Sequence, residues 1–147
     1  MARDKLRPEP NTNVELVTTL YERFNQRDEE ALLALYDKGA EVRSFVAAVE
    51  GSDVFRGREG VRAWYQNLVG TLGMLIEPGE LLGYRRLVLS IPKIHVRTGQ
   101  NDESTFEQGI VYEIRDGLIH RSFGHEDAAT ALITMGELLR GTHTPAA

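Results

Sequence analysis

Few side chains in this sequence of 147 residues titrate near neutral pH, since it has four histidines and no cysteine. The lack of cysteine excludes thiol nucleophiles, disulfides and zinc–thiolate sites. His120 and His125 are five residues apart in a segment predicted to be extended, so they should lie on opposite faces of a strand. None of the histidines has the H-E-x-x-H spacing of a helical zinc site. We therefore expect no metal site, and proton transfer near neutral pH would depend on a single imidazole.

Motifs for nucleotide phosphates and for serine hydrolysis are absent, since the chain contains no G-x-x-x-x-G-K, no G-x-G-x-x-G and no G-x-S-x-G. The 17 basic and 22 acidic side chains give a net charge of -5, which argues against a nucleic-acid partner because such partners need a basic surface. No apolar run approaches the roughly 18 residues of a membrane span. The charged N-terminus lacks the apolar stretch of a signal peptide. We expect a single cytoplasmic domain with no nucleic-acid or membrane partner.

The elements that must position the reactive side chains begin with a helix. Residues 1–12 are polar and proline-containing, which predicts a disordered arm. Thr12 and Glu15 have the spacing of a capping box, which satisfies free backbone N–H groups at a helix start. Apolar residues at helical spacing follow, so a first helix is predicted over about 13–26.

The next segments mix short helices and strands. Asp28 can cap a second, short helix that Gly39 would end. Alternating polar and apolar residues predict a strand over 40–46, and a short extended piece is expected at 54–56. An apolar stripe at helical spacing predicts a third helix over about 58–71.

The second half of the sequence is typical of antiparallel strands. Residues 74–97 are extended, and Pro92 should lie at an edge or a bulge because proline cannot donate to a ladder. The strongest strand pattern covers 106–114, and a return strand covers 118–123. The Asp-Gly pair at 116–117 between them indicates a tight hairpin turn.

A final helix should begin at Asp127 and end at Gly136, which leaves 137–147 as a frayed tail. Helices come first and antiparallel strands later, so the fold class is α+β rather than a parallel βαβ fold. The natural packing lays the first and third helices against one face of a curved sheet.

Three segments in this order resemble the SnoaL-like proteins of the NTF2-like superfamily. The matching segments are residues 32–42, which begin with LLALY, then FRGREGVRAWY over 55–65 and VYEIRDGLI over 111–119. The likeness covers about 13–136, which is taken as the domain. It implies a cystatin-like cone, in which a strongly curved, mostly antiparallel sheet wraps around helices and encloses an apolar pocket. It also implies a homodimer through the outer sheet face, and no cofactor.

The resemblance also locates the acids that catalytic relatives use, and this chain lacks them. The carboxylate base of ketosteroid isomerases falls on Ser44, their helix tyrosine on Leu20 and their oxyanion acid on Ile110. A serine has no pKa near neutrality and cannot replace a carboxylate base. The last acid of the epoxide hydrolases and polyketide cyclases falls on Gly124.

Strand parity, combined with the implied cone, predicts which side chains face the pocket. Alternation puts His120 on the same face as Ser122, which makes His120 the best candidate for a proton-transfer residue, although a structural histidine is the more common case. The predicted ligand-binding residues form an aromatic chamber with neutral polar groups. They are Tyr21, Ser44, Trp64, Gln108, Ile110, Tyr112 and Ser122.

These residues support three hypotheses. The first is a module that binds a small, apolar, ring-containing metabolite without the usual catalytic carboxylates. The second is an enzyme of the polyketide cyclase or isomerase kind that uses His120 as its acid/base. The third is a non-catalytic dimerisation module whose cone is filled by its own side chains.

Overall fold

A computed structural model describes residues 10–45, 54–97 and 102–143. These residues form four helices and one curved, unclosed seven-stranded sheet, which confirms the predicted α+β class. The helices are α1 (Pro10–Asn25), α2 (Glu29–Leu33), α3 (Gly57–Leu72) and α4 (Ala128–Arg140). The strands are β1 (Tyr36–Arg43), β2 (Val54–Arg56), β3 (Leu75–Tyr84), β4 (Leu87–Arg97), β5 (Glu103–Glu107), β6 (Gly109–Arg115) and β7 (Leu118–His125).

The sheet has the strand order β2-β1-β7-β6-β4-β3, and β5 pairs with the far half of β4. All neighbours are antiparallel except β1 and β7, which are parallel. The β3–β4 register shifts between Glu77 and Glu80, opposite Pro92. Because Pro92 cannot donate to the ladder, this irregularity accommodates it, and the predicted bulge is confirmed. The hairpin prediction is also confirmed, since Asp116 and Gly117 have φ values of 54° and 77°.

The inner face of the sheet packs against α1 and α3, as the sequence predicted. Phe24 of α1 and Val61 of α3 are fully buried in one apolar cluster with sheet residues such as Val88 and Ile119. Burial of apolar side chains from both layers stabilises the fold by about 25 cal/mol per Å² removed from water. This cluster surrounds the site described below.

The last helix covers the opposite face. Ala131, Met135 and Leu138 of α4 pack on Val111 and Phe123 at the centre of the outer face. Asp127 caps α4 by accepting from the backbone N–H of Thr130 at 2.8 Å, so its predicted role is confirmed. The central part of the outer face is therefore occupied by the chain's own helix.

Several element boundaries differ from the sequence-based predictions. Helix α1 begins at Pro10, so Thr12 lies inside its first turn rather than at its cap. Helix α2 ends at Leu33 instead of reaching Gly39, although Asp28 does cap it. The chain turns early because Tyr36 already pairs with Ile119 in the β1–β7 ladder.

The helix α4 continues past Gly136 to Arg140, where Gly141 takes the left-handed conformation with φ of 71° and stops it. Leu138, in the extra turn, is buried against the sheet, which explains why the helix continues. Residues 1–9 of the predicted arm and 144–147 of the predicted tail lie outside the described residues. In the described part of the chain, no helix is both long and apolar enough to cross a membrane.

Candidate functional site

A cavity lies between α1, α3 and the inner face of the sheet. Its volume is about 40 Å³, or about 530 Å³ when all the empty space out to its open mouth is included. The cavity is therefore a narrow slot rather than an open bowl. The described residues that line it are mainly apolar or aromatic, and they include Leu20, Tyr21, Phe24, Tyr36, Val42, Ser44, Phe45, Trp64, Leu68, Met74, Ile76, Ile94, Gln108, Ile110, Tyr112, Ser122 and Gly124.

One wall of the slot is aromatic. Trp64 of α3 has its ring centroid 6.0 Å from that of Phe24 and 6.5 Å from that of Tyr36. The ring of Tyr36 meets Trp64 edge-on at 66°. Such pairs are favourable beyond their buried area, so the three rings hold one another in fixed orientations. The three rings therefore form a preformed apolar wall of the slot.

A short hydrogen-bonded network crosses the slot. The Tyr21 hydroxyl lies 2.6 Å from the Ser90 hydroxyl and 2.9 Å from the Tyr112 hydroxyl. Burial raises the pKa of Tyr21 to about 12. The pKa of Tyr112 is raised well above its ordinary value, mainly by burial and to a smaller extent by the nearby Tyr21. Both phenols are therefore neutral at physiological pH and act as hydrogen-bonding groups rather than as bases.

Tyr36 also lines the slot, but it takes no part in this hydrogen-bonded network. Its side chain is fully buried, and its hydroxyl has no hydrogen-bond partner in the described structure. Burial, followed by the nearby Tyr21, raises the pKa of this phenol far above the usual range. Buried polar groups nearly always have partners in folded proteins, so an unpartnered hydroxyl in a cavity wall needs an explanation.

The pairing of the strands brings further side chains of the sheet to the slot. Tyr112 is opposite Ser122 in the β6–β7 ladder, and Ser122 is opposite Val42 in the β1–β7 ladder. Opposed residues share a face, so these three side chains line the slot together. All seven predicted ligand-binding residues, namely Tyr21, Ser44, Trp64, Gln108, Ile110, Tyr112 and Ser122, are found along this one cavity.

The inward position predicted for His120 is wrong. Glu113 pairs with Arg121 and the next residue, Ile114, pairs with Ile119, so His120 is the extra residue of a β-bulge. A bulge breaks the alternation on which the prediction depended. The imidazole instead lies 2.9 Å from the Asp37 carboxylate, and His120 is not among the described residues of the cavity wall.

The described cavity wall carries no carboxylate and no imidazole. Its single formally charged residue is Arg43, whose guanidinium pairs with Glu41 at 2.8 Å. These two side chains alternate with inward-facing Val42, so their ion pair belongs to the other face of the strand. Leu20, Ile110 and Gly124, where the resemblance expected tyrosine and acids, all line the slot. Nowhere in residues 10–45, 54–97 and 102–143 do three His, Asp or Glu side chains gather as metal ligands.

Sequence reasoning missed two residues of this site. The sequence prediction places Tyr36 in the second helix, although its even spacing with Ala40 and Val42 is a period-2 signal for a strand. Ser90 was missed because the register of 74–97 depends on the irregularity opposite Pro92. Tyr36 lines the slot, and Ser90 is hydrogen-bonded to Tyr21, which also lines it.

Comparison with known proteins identifies the fold independently. The family model of the SnoaL-like domain matches residues 17–122. A search of curated proteins found no significant match to the sequence. The matched region contains all of α3, more than half of α1 and almost the whole of the cavity wall.

Three solved structures illustrate the likeness. TerC, co-crystallised with polyporic acid, is 20% identical with a TM-score of 0.71, covering 88% of this chain and 98% of that one. SalBIII, an epoxide hydrolase/cyclase-like enzyme in pyran ring formation in polyether salinomycin, is 19% identical with a TM-score of 0.67, covering 78% and 90%. RV0760c from Mycobacterium tuberculosis, in complex with estradiol-17beta-hemisuccinate, is 15% identical with a TM-score of 0.67, covering 77% and 92%. At these identities the likeness concerns the fold alone.

Proposed function

This chain belongs to the SnoaL-like domain family, and from that premise we propose that it binds a small, mainly apolar ring compound inside its cone. The observation that carries the proposal is the slot itself, which has an aromatic wall and neutral hydroxyls. Small-molecule sites typically combine an apolar lining with a few polar groups that orient the ligand. TerC and RV0760c, which share the fold, were crystallised with ring compounds.

The slot is narrow, so binding requires its side chains to move. Met74 lines the cavity, and methionine has more conformational freedom than branched or aromatic side chains. Phe45 also lines the slot and is partly exposed at its mouth. We expect these two side chains to shift when a ring enters, whereas the packed trio of Phe24, Tyr36 and Trp64 stays in place.

A thermal-shift titration tests the proposal with three ring ketones of increasing size: 1-tetralone, 9-fluorenone and estrone. A ligand at 100 times its Kd stabilises the protein by about 2.7 kcal/mol, which raises the melting temperature of a domain this size by several degrees. Ile110→Trp and Val42→Phe should abolish the shift, because each fills the slot with a larger side chain. Two blocking variants are used because either one alone could disturb the fold.

The result would contradict the proposal if none of the three compounds shifted the wild-type protein. It would favour the third hypothesis, a cone filled by its own side chains, which the small water-accessible part of the slot also suits. A shift that persists in both folded blocking variants would mean that the compounds bind elsewhere on the surface.

A cyclase or isomerase activity is the alternative function. It lacks its proposed acid/base, because the His120 imidazole pairs with Asp37 away from the described cavity wall. Ketone probes that bind are therefore expected to leave unchanged, as judged by mass spectrometry after prolonged incubation. If turnover appears, His120→Ala should leave its rate unaltered, and a large loss of rate would restore His120 to the mechanism.

A homodimer through the outer face and a cytoplasmic location both remain predictions. A dimer of this kind would have to use the part of the outer face that α4 leaves open. Leu82 and Tyr84 are exposed there, opposite Leu89 and Leu87, which α4 covers. Light scattering of the wild type and of Leu82→Glu tests this arrangement, since a charge at the contact should yield monomers.

A further inference from the structure

The buried hydroxyl of Tyr36 has no partner in the described structure, although Tyr21 is close enough to raise its pKa. The Tyr21 hydroxyl is already engaged by Ser90 at 2.6 Å and by Tyr112 at 2.9 Å. A hydroxyl can form more than one hydrogen bond, but the Tyr36 hydroxyl does not come within reach of this network. The Tyr36 hydroxyl therefore lacks a partner because of the position in which its ring is held.

Two features hold the ring of Tyr36 in place. The residue is the first of β1, and its backbone pairs with Ile119 across the parallel ladder. Its ring lies edge-on to Trp64, which in turn packs on Phe24. Turning the hydroxyl toward Tyr21 or toward solvent would break this packing, so the site keeps an unused hydrogen-bond donor in the wall of the slot.

Deepening the proposed function, on which this step rests, we infer that the Tyr36 hydroxyl donates a hydrogen bond to an oxygen acceptor on the bound ring compound. The ligand class is a ring ketone, a quinone or an enolate rather than a plain hydrocarbon. The hydroxyl has almost no accessible surface as the slot stands. An acceptor can reach it only when a ring widens the slot, which couples recognition of the oxygen to insertion of the ring.

The chemistry of the phenol limits what it can recognise. Burial keeps it protonated far beyond physiological pH, so it offers an O–H donor to a ligand oxygen. A site built around a buried donor discriminates against an analogue that lacks the acceptor, because binding that analogue leaves the donor unpaired. An enolate oxygen, which is charged, would satisfy this donor more strongly than a neutral carbonyl or hydroxyl oxygen.

Matched pairs of probes test this inference by calorimetry. 9-Fluorenone and fluorene, or 1-tetralone and tetralin, share a ring system and differ in one carbonyl oxygen. Wild-type protein should bind the ketone about tenfold more tightly than the hydrocarbon. Tyr36→Phe should remove that preference while changing the hydrocarbon Kd by less than twofold, and Tyr84→Phe, which alters an exposed tyrosine, should retain it.

Infrared spectroscopy supplies a readout that a merely structural role would not move. The carbonyl stretch of bound 9-fluorenone should shift to lower frequency in the wild type and return toward its apolar-solvent value in Tyr36→Phe. If both members of a pair bind equally well, or if the preference survives in Tyr36→Phe, the inference is overturned while the proposed function stands. If neither member binds, both are overturned.

Discussion

On the outer face of the sheet, the Glu113 carboxylate is only 4% exposed, and Arg86 and Arg121 donate to its oxygens at 3.0 and 2.7 Å. On the inner face, Tyr36 is buried as deeply and its hydroxyl has no partner in the described structure. Burial alone would raise the pKa of Glu113, but the hydrogen bonds from Arg121 and Arg86 outweigh it and hold that pKa below its usual range. The outer face therefore pairs its buried carboxylate with two arginines, whereas the inner face holds a buried hydroxyl that has no partner among the described residues.

The largest expected effect comes from removing the partners on the outer face. The double variant Arg86→Ala/Arg121→Ala leaves the Glu113 carboxylate buried and unpaired, which should cost about 3 kcal/mol of unfolding free energy. This value is at the low end of what breaking a buried ion pair usually costs. We choose it because the arginine side chains are 46% and 31% exposed, so solvent already screens them. Urea unfolding at pH 7 measures the loss. Arg97→Ala, which breaks an exposed pair with Glu103, is the control and should cost less than about 1 kcal/mol.

The same double variant has a pH signature with a definite sign. In the wild type, the lowered pKa of Glu113 stabilises the fold above the unfolded-state pKa, and this contribution is lost as the pH falls through the folded-state value. Without the arginines, burial acts alone and raises the pKa of Glu113, so the charged form becomes the destabilising one. The deficit should therefore be larger at pH 7 than at pH 4. An equal deficit at both pH values would mean that the ion pairs do not account for the loss.

The next effect tests how tightly α4 is fixed on the outer face. A Cβ added at Gly109 of β6 would clash with the Asp127 carbonyl oxygen and would lie 2.7 Å from the Ala131 Cβ. Since backbone and a packed methyl cannot yield easily, Gly109→Ala should destabilise the protein by about 1–3 kcal/mol. Gly136→Ala is the matched control, because its Cβ would meet only the flexible Arg140 guanidinium at 3.1 Å.

The direction of the stability change in the control variant distinguishes a packing clash at Gly109 from a general effect of replacing glycine by alanine. Gly136 lies inside α4, where alanine is favoured over glycine by roughly 0.5–1 kcal/mol, so Gly136→Ala should leave stability unchanged or raise it slightly. Thermal unfolding of the two variants side by side provides the measurement. If Gly109→Ala were as stable as the wild type, α4 would have room to shift on the sheet, and the outer face would be as adaptable as the slot.

Regular alternation carried the prediction of the inner face. Alternation along β7 predicts that Ser122 faces the cavity, and Ser122 does line it. The same count failed at His120, because the bulge opposite Glu113 and Ile114 inserts one extra residue. A bulge is set by pairing between strands distant in sequence, so the local pattern around His120 contains no sign of it.

The predicted helix ends were right where they depend on local contacts and wrong where they depend on contacts between distant segments. Asp127 was correctly predicted as a cap, because a capping side chain bonds to backbone only three residues away. Gly39 and Gly136 were wrongly predicted to end helices. In the first case Tyr36 is drawn early into a ladder with Ile119, and in the second Leu138 gains burial by extending the helix. Tertiary burial overrides local signals of this size.

The smallest effects compare two tyrosines of the slot. Tyr21→Phe removes hydrogen bonds to Ser90 and Tyr112 and leaves their hydroxyls less satisfied, which should cost about 1–2 kcal/mol of unfolding free energy. Tyr36→Phe removes a buried hydroxyl that has no partner in the described structure, so its cost should be near zero or slightly negative. Urea unfolding of both variants without any probe compound gives the two values. A loss in Tyr36→Phe as large as that in Tyr21→Phe would mean that the Tyr36 hydroxyl is already satisfied in solution, for instance by a buried water. The Tyr36 hydroxyl would then serve the stability of the fold, as the Glu113 carboxylate does on the outer face.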